Sequence, residues 1–130
     1  MSGKKTILVI DDNSSVLQIL DIFLTDKGYQ ILTADNGLDG IKMIQDHHPD
    51  GIILDLNLPK MSGQVVAELI SKDPELKDIP VLLLTGTTVI SEQDEDLISG
   101  VSHQFSKPIS QGKLLATLDE MTNRSTRSQT

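Results

Sequence analysis

An α/β fold built on a doubly wound, five-stranded parallel sheet is what this sequence predicts, and three observations carry the prediction. Short apolar runs of β character recur at residues 5–10, 30–34, 51–54, 79–84 and 102–106. Segments with helical spacing lie between them. The runs read as continuous Ile/Leu/Val stretches rather than alternating ones, the pattern of strands covered on both faces by right-handed crossover helices. A chain of 130 residues is the size of one such helix–sheet–helix sandwich and can bury a core without disulfides.

Taken in order, the first run leads into Val16, Ile19, Leu20, Phe23 and Leu24, which fall on one helical stripe, and Gly28 suits the residue after that helix. Leu38, Ile41 and Ile44 mark a shorter helix ending before Pro49. Ser62 opens the next, whose apolar positions are Val65, Val66, Leu69 and Ile70. A fourth helix is expected around residues 90–98, where an acidic first turn follows Ser91 and only Ile90, Leu97 and Ile98 can reach a core. Leu114, Leu115, Leu118 and Met121 mark the last helix. From Thr122 onward the chain is polar, so the expected domain is 4–121 and the expected tail 122–130.

Composition excludes several classes of function. The absence of cysteine removes disulfide frameworks, thiolate metal sites and cysteine catalysis. No apolar run approaches the roughly 20 residues that span a bilayer, and the N-terminus lacks a secretory apolar segment. A soluble cytoplasmic chain without membrane contact is the expectation. Nineteen acidic against eleven basic residues give a charge of −8, which repels a nucleic-acid backbone. Phe23, Tyr29 and Phe105 are too few aromatics for a base-stacking platform.

In an open parallel sheet, ligands bind beyond the carboxyl ends of the strands. The polar residues there are Asp11 and Asp12, Asp55, Thr85 and Lys107, so four strands deliver carboxylates, a hydroxyl and an ammonium to one rim. Taken singly, Asp11-Asp12-Asn13-Ser14 is an ordinary strand-to-helix turn with a capping side chain, and Thr85 or Lys107-Pro108 an ordinary strand end. Their shared address argues for chemistry. Three converging carboxylates repel one another unless a cation sits among them, and Mg²⁺ prefers such oxygen ligands. An ionised Asp is also a nucleophile toward phosphorus, while Lys107 and Thr85 offer a cation and a donor for the transferred group's oxygens.

The string Ile7-Leu-Val-Ile-Asp-Asp12, then Gly28-Tyr29, Ala34-Asp-Asn-Gly37, Asp55-Leu-Asn-Leu-Pro-Lys-Met-Ser-Gly63, Thr85 and Lys107-Pro108 resembles the response-regulator receiver family over residues 4 to 121. The resemblance implies a flavodoxin-like sheet of order 2-1-3-4-5. It implies that Asp55 is the phosphoacceptor, Asp12 a direct Mg²⁺ ligand, Asp11 a partner through a metal-bound water, and Asn57 a ligand through its backbone carbonyl. Thr85 would move toward the phosphoryl group, Lys107 would pair with a carboxylate or a phosphoryl oxygen, and the Lys107–Pro108 peptide would be cis. The implied protein is not an enzyme in the ordinary sense but a phosphoacceptor that catalyses its own transfer and slow dephosphorylation. A sensor histidine kinase or phosphotransfer protein would be the donor. An output partner would meet the face made by the fourth helix, fifth strand and last helix, the domain being a monomer or a phosphorylation-dependent dimer.

Two positions depart from the family pattern. Gln104 stands where an aromatic often precedes the Lys, and Gly86 follows Thr85. Because successive strand side chains point to opposite faces, Phe105 cannot replace that aromatic and is expected in the core. The switch is therefore expected to rest on Thr85 and the 86–89 loop. The alternatives are a phosphorylation-independent pseudo-receiver, a haloacid-dehalogenase-type phosphatase and a flavin or nucleotide module. The first usually lacks an acidic residue or the Lys. The second needs Asp-x-Asp after its first strand, and the third a Gly-rich loop there, where this chain has Asp11 and Asp12.

Overall fold

The computed structural model describes residues 4–55, 58, 60–85, 103–106 and 111–127. Strands β1 (Thr6–Ile10), β2 (Gln30–Ala34), β3 (Gly51–Asp55), β4 (Val81–Thr85) and β5 (His103–Ser106) pair in parallel in the order β2-β1-β3-β4-β5. This is the expected order. Helices α1 (Ser14–Asp26), α2 (Gly37–His47) and α3 (Gly63–Lys72) follow the first three strands, and a C-terminal helix (Gln111–Arg127) follows β5. The expected fourth helix, the 86–89 loop, Asn57, Lys107 and the Lys107–Pro108 peptide lie outside the described residues. Gln104 and Phe105 fall in β5, opposite Leu83 and Leu84.

Alternation of side chains along the strands divides the core into two. Leu8, Ile10, Ile52, Leu54, Val81 and Leu83 face α2 and α3, where Ile44, Val66, Ala67 and Ile70 meet them. Ile7, Val9, Ile53, Leu82 and Leu84 face the other way, onto Leu20 and Leu24 of α1 and Leu114, Leu118 and Met121 of the C-terminal helix. The sheet turns its winding direction between β1 and β3, and right-handed crossovers then force α1 and α2 onto opposite faces. Each fully buried Leu or Ile contributes about 1.5–3 kcal/mol. Among the described residues, the three central strands supply most of the largest fully buried side chains.

Local chemistry sets the helix starts. Asn13 Oδ1 accepts from the Ser15 and Val16 amides, Asn36 Oδ1 from Asp39, and Ser62 Oγ from Val65, so each side chain satisfies a donor left over in the first turn. Gly28 sits past the end of α1 with φ +99°, a conformation that costs a side chain and suits glycine.

Two expectations need correction. Ile19 is 57% exposed, because the buried arc of α1 is centred on Leu20 and Leu24, and a helix advances about 100° per residue. Val65 and Leu69 likewise lie on the exposed flank of α3. At the other end, Thr122 does not begin a loose tail: the helix continues to Arg127 and Thr122 is 2% exposed. Its hydroxyl donates to the Leu118 carbonyl at 2.9 Å, leaving the methyl to pack 3.8 Å from the Cβ position of Gly51.

Tyr29, just before β2, is buried in the second core and donates through its hydroxyl to Asp119 of the C-terminal helix. Burial pushes the phenol well above its ordinary value near 10, and the Asp119 hydrogen bond and charge push the same way. The folded state therefore holds this proton after the unfolded chain has released it. The stabilisation is fully present below pH about 10 and is lost as pH rises from there toward the folded-state value. Urea unfolding midpoints are expected to fall above that pH in the wild type, and Tyr29→Phe is expected to remove this part of the decline. Tyr29 is the single tyrosine, so phenolate absorbance reports its ionisation directly.

Candidate functional site

The acidic cluster lies where the winding direction changes. In β1 and β3, Ile10 pairs with Leu54, so Asp11, one residue past β1, comes level with Asp55, the last residue of β3. Asp12 follows on the turn into α1. One carboxylate oxygen from each of Asp11, Asp12 and Asp55 lies within 4.8 Å of the others. Asp11 and Asp55 are 2% and 5% exposed, whereas Asp12 is open to solvent. Two partly desolvated anions and a third facing water form a half-buried acidic mouth.

Backbone bonds hold this mouth in shape. Asp11 Oδ1 accepts from the Asn13 amide at 2.9 Å, and the Asp11 amide donates to the Ala34 carbonyl at the end of β2 at 3.1 Å. Asp55 completes a strand in which every residue is buried. Neither strand end can drift without breaking a sheet of this depth.

The donor set fits a small hard cation. An octahedral ion with ligands at 2.0–2.1 Å places its ligand oxygens about 2.9 to 4.2 Å apart, so a set spanning 4.8 Å needs only a slight contraction. Carboxylates with no sulfur and no imidazole favour Mg²⁺-like ions over softer metals. Asp11, Asp12 and Asp55 are the residues that would hold it.

Of the other residues expected here, Thr85 ends β4, one position beyond the Asp55–Leu84 pair, and so shares the rim. It pairs with Ser106, the residue before Lys107. Asn57 and Lys107 are outside the described residues. Sequence reasoning assigned no role to the Ala34–Gly37 turn, which borders this rim. Asn36, 4% exposed, donates to Asp35 and Asp39 and accepts from the Asp39 amide. An Asn-Gly pair after a strand signals a tight turn, but not which loops the turn will touch. A separate cleft of about 430 Å³ beside Thr33, Asp39 and Lys42 includes none of the three cluster aspartates.

Comparison with known proteins agrees with this geometry. A family model described as the response regulator receiver domain matches residues 7–119. The polar-differentiation response regulator DivK of Brucella ovis is 28% identical over 114 residues, covering 88% of this chain and 93% of its own. The chemotaxis response regulator CheY4 of Vibrio cholerae superposes with a TM-score of 0.82 at 29% identity, over 91% of this chain and 98% of that one. The signal receiver domain of a signal transduction histidine kinase from Syntrophus aciditrophicus gives 0.83 at 26% identity, over 92% of this chain and 90% of that one. Sheet order, acidic mouth and family match coincide over nearly the same residues, and the chain belongs to the response regulator receiver domain family of two-component signalling.

Proposed function

We propose that this receiver domain accepts a phosphoryl group on Asp55 with Mg²⁺ held beside it, and that the modification switches a surface read by an output partner. The observation that carries the reading is the convergence of Asp11, Asp12 and Asp55 at the ends of the two central strands. An Asp55 carboxylate oxygen attacks phosphorus, an O–P bond forms, and the P–N bond of a phosphohistidine breaks as the imidazole takes up a proton. The metal, when bound, supplies neutralisation of charge on the phosphoryl oxygens. Asp12, which faces solvent, would bind the ion directly, and Asp11, which accepts from the Asn13 amide, would bind it through water. Asn57 contributes its backbone carbonyl.

Thr85 donates to the phosphoryl group and Lys107 pairs with its oxygen. The donor is a sensor histidine kinase or phosphotransfer protein, the partner class that receiver domains imply. The domain is a phosphoacceptor that promotes its own transfer and slow hydrolysis, and it works in the cytoplasm. With Gln104 in place of an aromatic, Thr85 and the 86–89 loop carry the switch to the face around β5. Intact-mass analysis after treatment with acetyl phosphate tests the reading. One phosphoryl increment is expected with Mg²⁺ and none after chelation. No increment in either condition would mark the domain as a phosphorylation-independent binding module.

A further inference from the structure

The Asn36–Gly37 pair, at the turn from β2 into α2, has a chemistry of its own. A backbone amide nitrogen that follows an asparagine can attack the side-chain carbonyl carbon. Glycine leaves that nitrogen least hindered, because it has no Cβ. The dipeptide is therefore prone to lose the asparagine amide wherever the chain is free to bend. In the folded protein it is not free.

Asn36 is buried, and its Nδ2 donates to Asp35 Oδ1 at 2.7 Å and to Asp39 Oδ2 at 3.0 Å, so both amide hydrogens are taken. Its Oδ1 accepts from the Asp39 amide at 2.9 Å, which ties the side chain to the first turn of α2. The backbone is held as firmly. Asn36 is extended, with ψ 164°, and its carbonyl accepts from the Gly40 amide at 3.0 Å. Ring closure has to rotate ψ to bring the Gly37 nitrogen onto Cγ, and that rotation breaks the Gly40 bond. Gly37 has no room to follow, because it is packed on Met61: a Cβ built there would lie 2.7 Å from Met61 Cβ and 3.1 Å from its carbonyl carbon.

We propose that Asn36 is a latent deamidation site gated by the start of α2: the closed cap withholds the reaction, and opening of the cap admits it. In the opened turn, the Gly37 nitrogen attacks Asn36 Cγ, a C–N bond forms, and Nδ2 leaves as ammonia with the proton that Gly37 gives up. Water then opens the cyclic imide, giving aspartate or isoaspartate according to which C–N bond breaks. The conversion is one-way. It removes the two donors that served Asp35 and Asp39 and puts a third carboxylate between them, in a position shielded from water. When opening and closing are fast against ring closure, the rate in the folded protein is the unhindered rate multiplied by the fraction open.

The test follows conversion by peptide mapping and mass spectrometry in the full chain at mildly alkaline pH, in buffer and in unfolding urea. The amide-to-acid mass increase reads the reaction, and chromatography separates isoaspartate. In urea, Asn36 should convert faster than Asn13, which Ser14 follows. In buffer, Asn36 should convert at least about 10-fold more slowly than in urea, the factor that about 1.4 kcal/mol of opening free energy supplies. Asp39→Ala removes one acceptor of Nδ2 and should speed conversion in buffer while leaving the rate in urea unchanged. Equal wild-type rates in buffer and urea overturn the gate, a comparison that needs no variant to fold. Asp39→Ala converting in buffer no faster than the wild type overturns the role of the cap bonds, and no preference for Asn36 over Asn13 in urea overturns the site itself.

Discussion

Asp55→Asn will not take up a phosphoryl group from acetyl phosphate, whether or not Mg²⁺ is present. An amide nitrogen has no nucleophilic lone pair to offer, and the amide oxygen carries no charge to direct at phosphorus. The change is nearly isosteric, so the β3 packing around a residue 5% exposed is kept. It also takes one negative charge out of a cluster whose oxygens lie within 4.8 Å, which relieves repulsion. The variant should therefore fold at least as well as the wild type while losing the modification entirely. Intact-mass spectrometry gives the first readout and thermal melting the second. A stable aspartyl phosphate formed on Asp55→Asn at the wild-type rate would place the acceptor elsewhere.

The second large effect is on the metal. Asp12 is exposed and lies on the turn between β1 and α1, outside both strands, so Asp12→Ala should leave the sheet intact. What it removes is the ligand that faces solvent, from which a hydrated ion approaches. Since outer-shell changes alone cost about 10- to 100-fold in affinity, loss of a direct ligand should cost at least as much and bring binding below detection. Binding also stabilises. An ion present at about 100 times its Kd raises folding stability by about 2.7 kcal/mol, which melting curves resolve easily. In Asp12→Ala that Mg²⁺-dependent rise should vanish while the metal-free Tm stays level or increases. Unchanged affinity would count decisively against the acidic-mouth model.

The two variants separate roles that the cluster combines. Asp55→Asn removes the nucleophile, and Asp12→Ala removes metal binding. If both behave as expected, phosphoacceptor and metal ligand are distinct contributions from two separate turns of the chain.

The sequence by itself determined the β/α alternation, the strand positions to within a few residues, the Ser62 cap and the acidic rim. The reason is that these depend on short-range rules. A strand buried on both faces must be a continuous apolar run, as 7–10, 52–54 and 81–84 are. A helix start needs a side-chain acceptor, as Ser62 supplies. A parallel sheet exposes the residues after its strands, which is why Asp11, Asp12 and Asp55 were legible as a group before any distance was known. The register of β1 on β3 then turned that grouping into a contact.

Only the tertiary structure decided the remainder, since it depends on where distant elements meet. Helical periodicity includes Ile19 in an apolar stripe, yet the docking angle of α1 turns that residue to solvent. Composition assigns Thr122 to a tail, yet its hydroxyl is satisfied within the helix and its methyl finds Gly51 across the core. The contact between Gly37 and Met61 joins two turns 24 residues apart, and no local pattern in either turn encodes it. Spacing of this kind is set by how α2 and α3 pack on one face of the sheet, where close-packed side chains fix the approach of backbone to backbone.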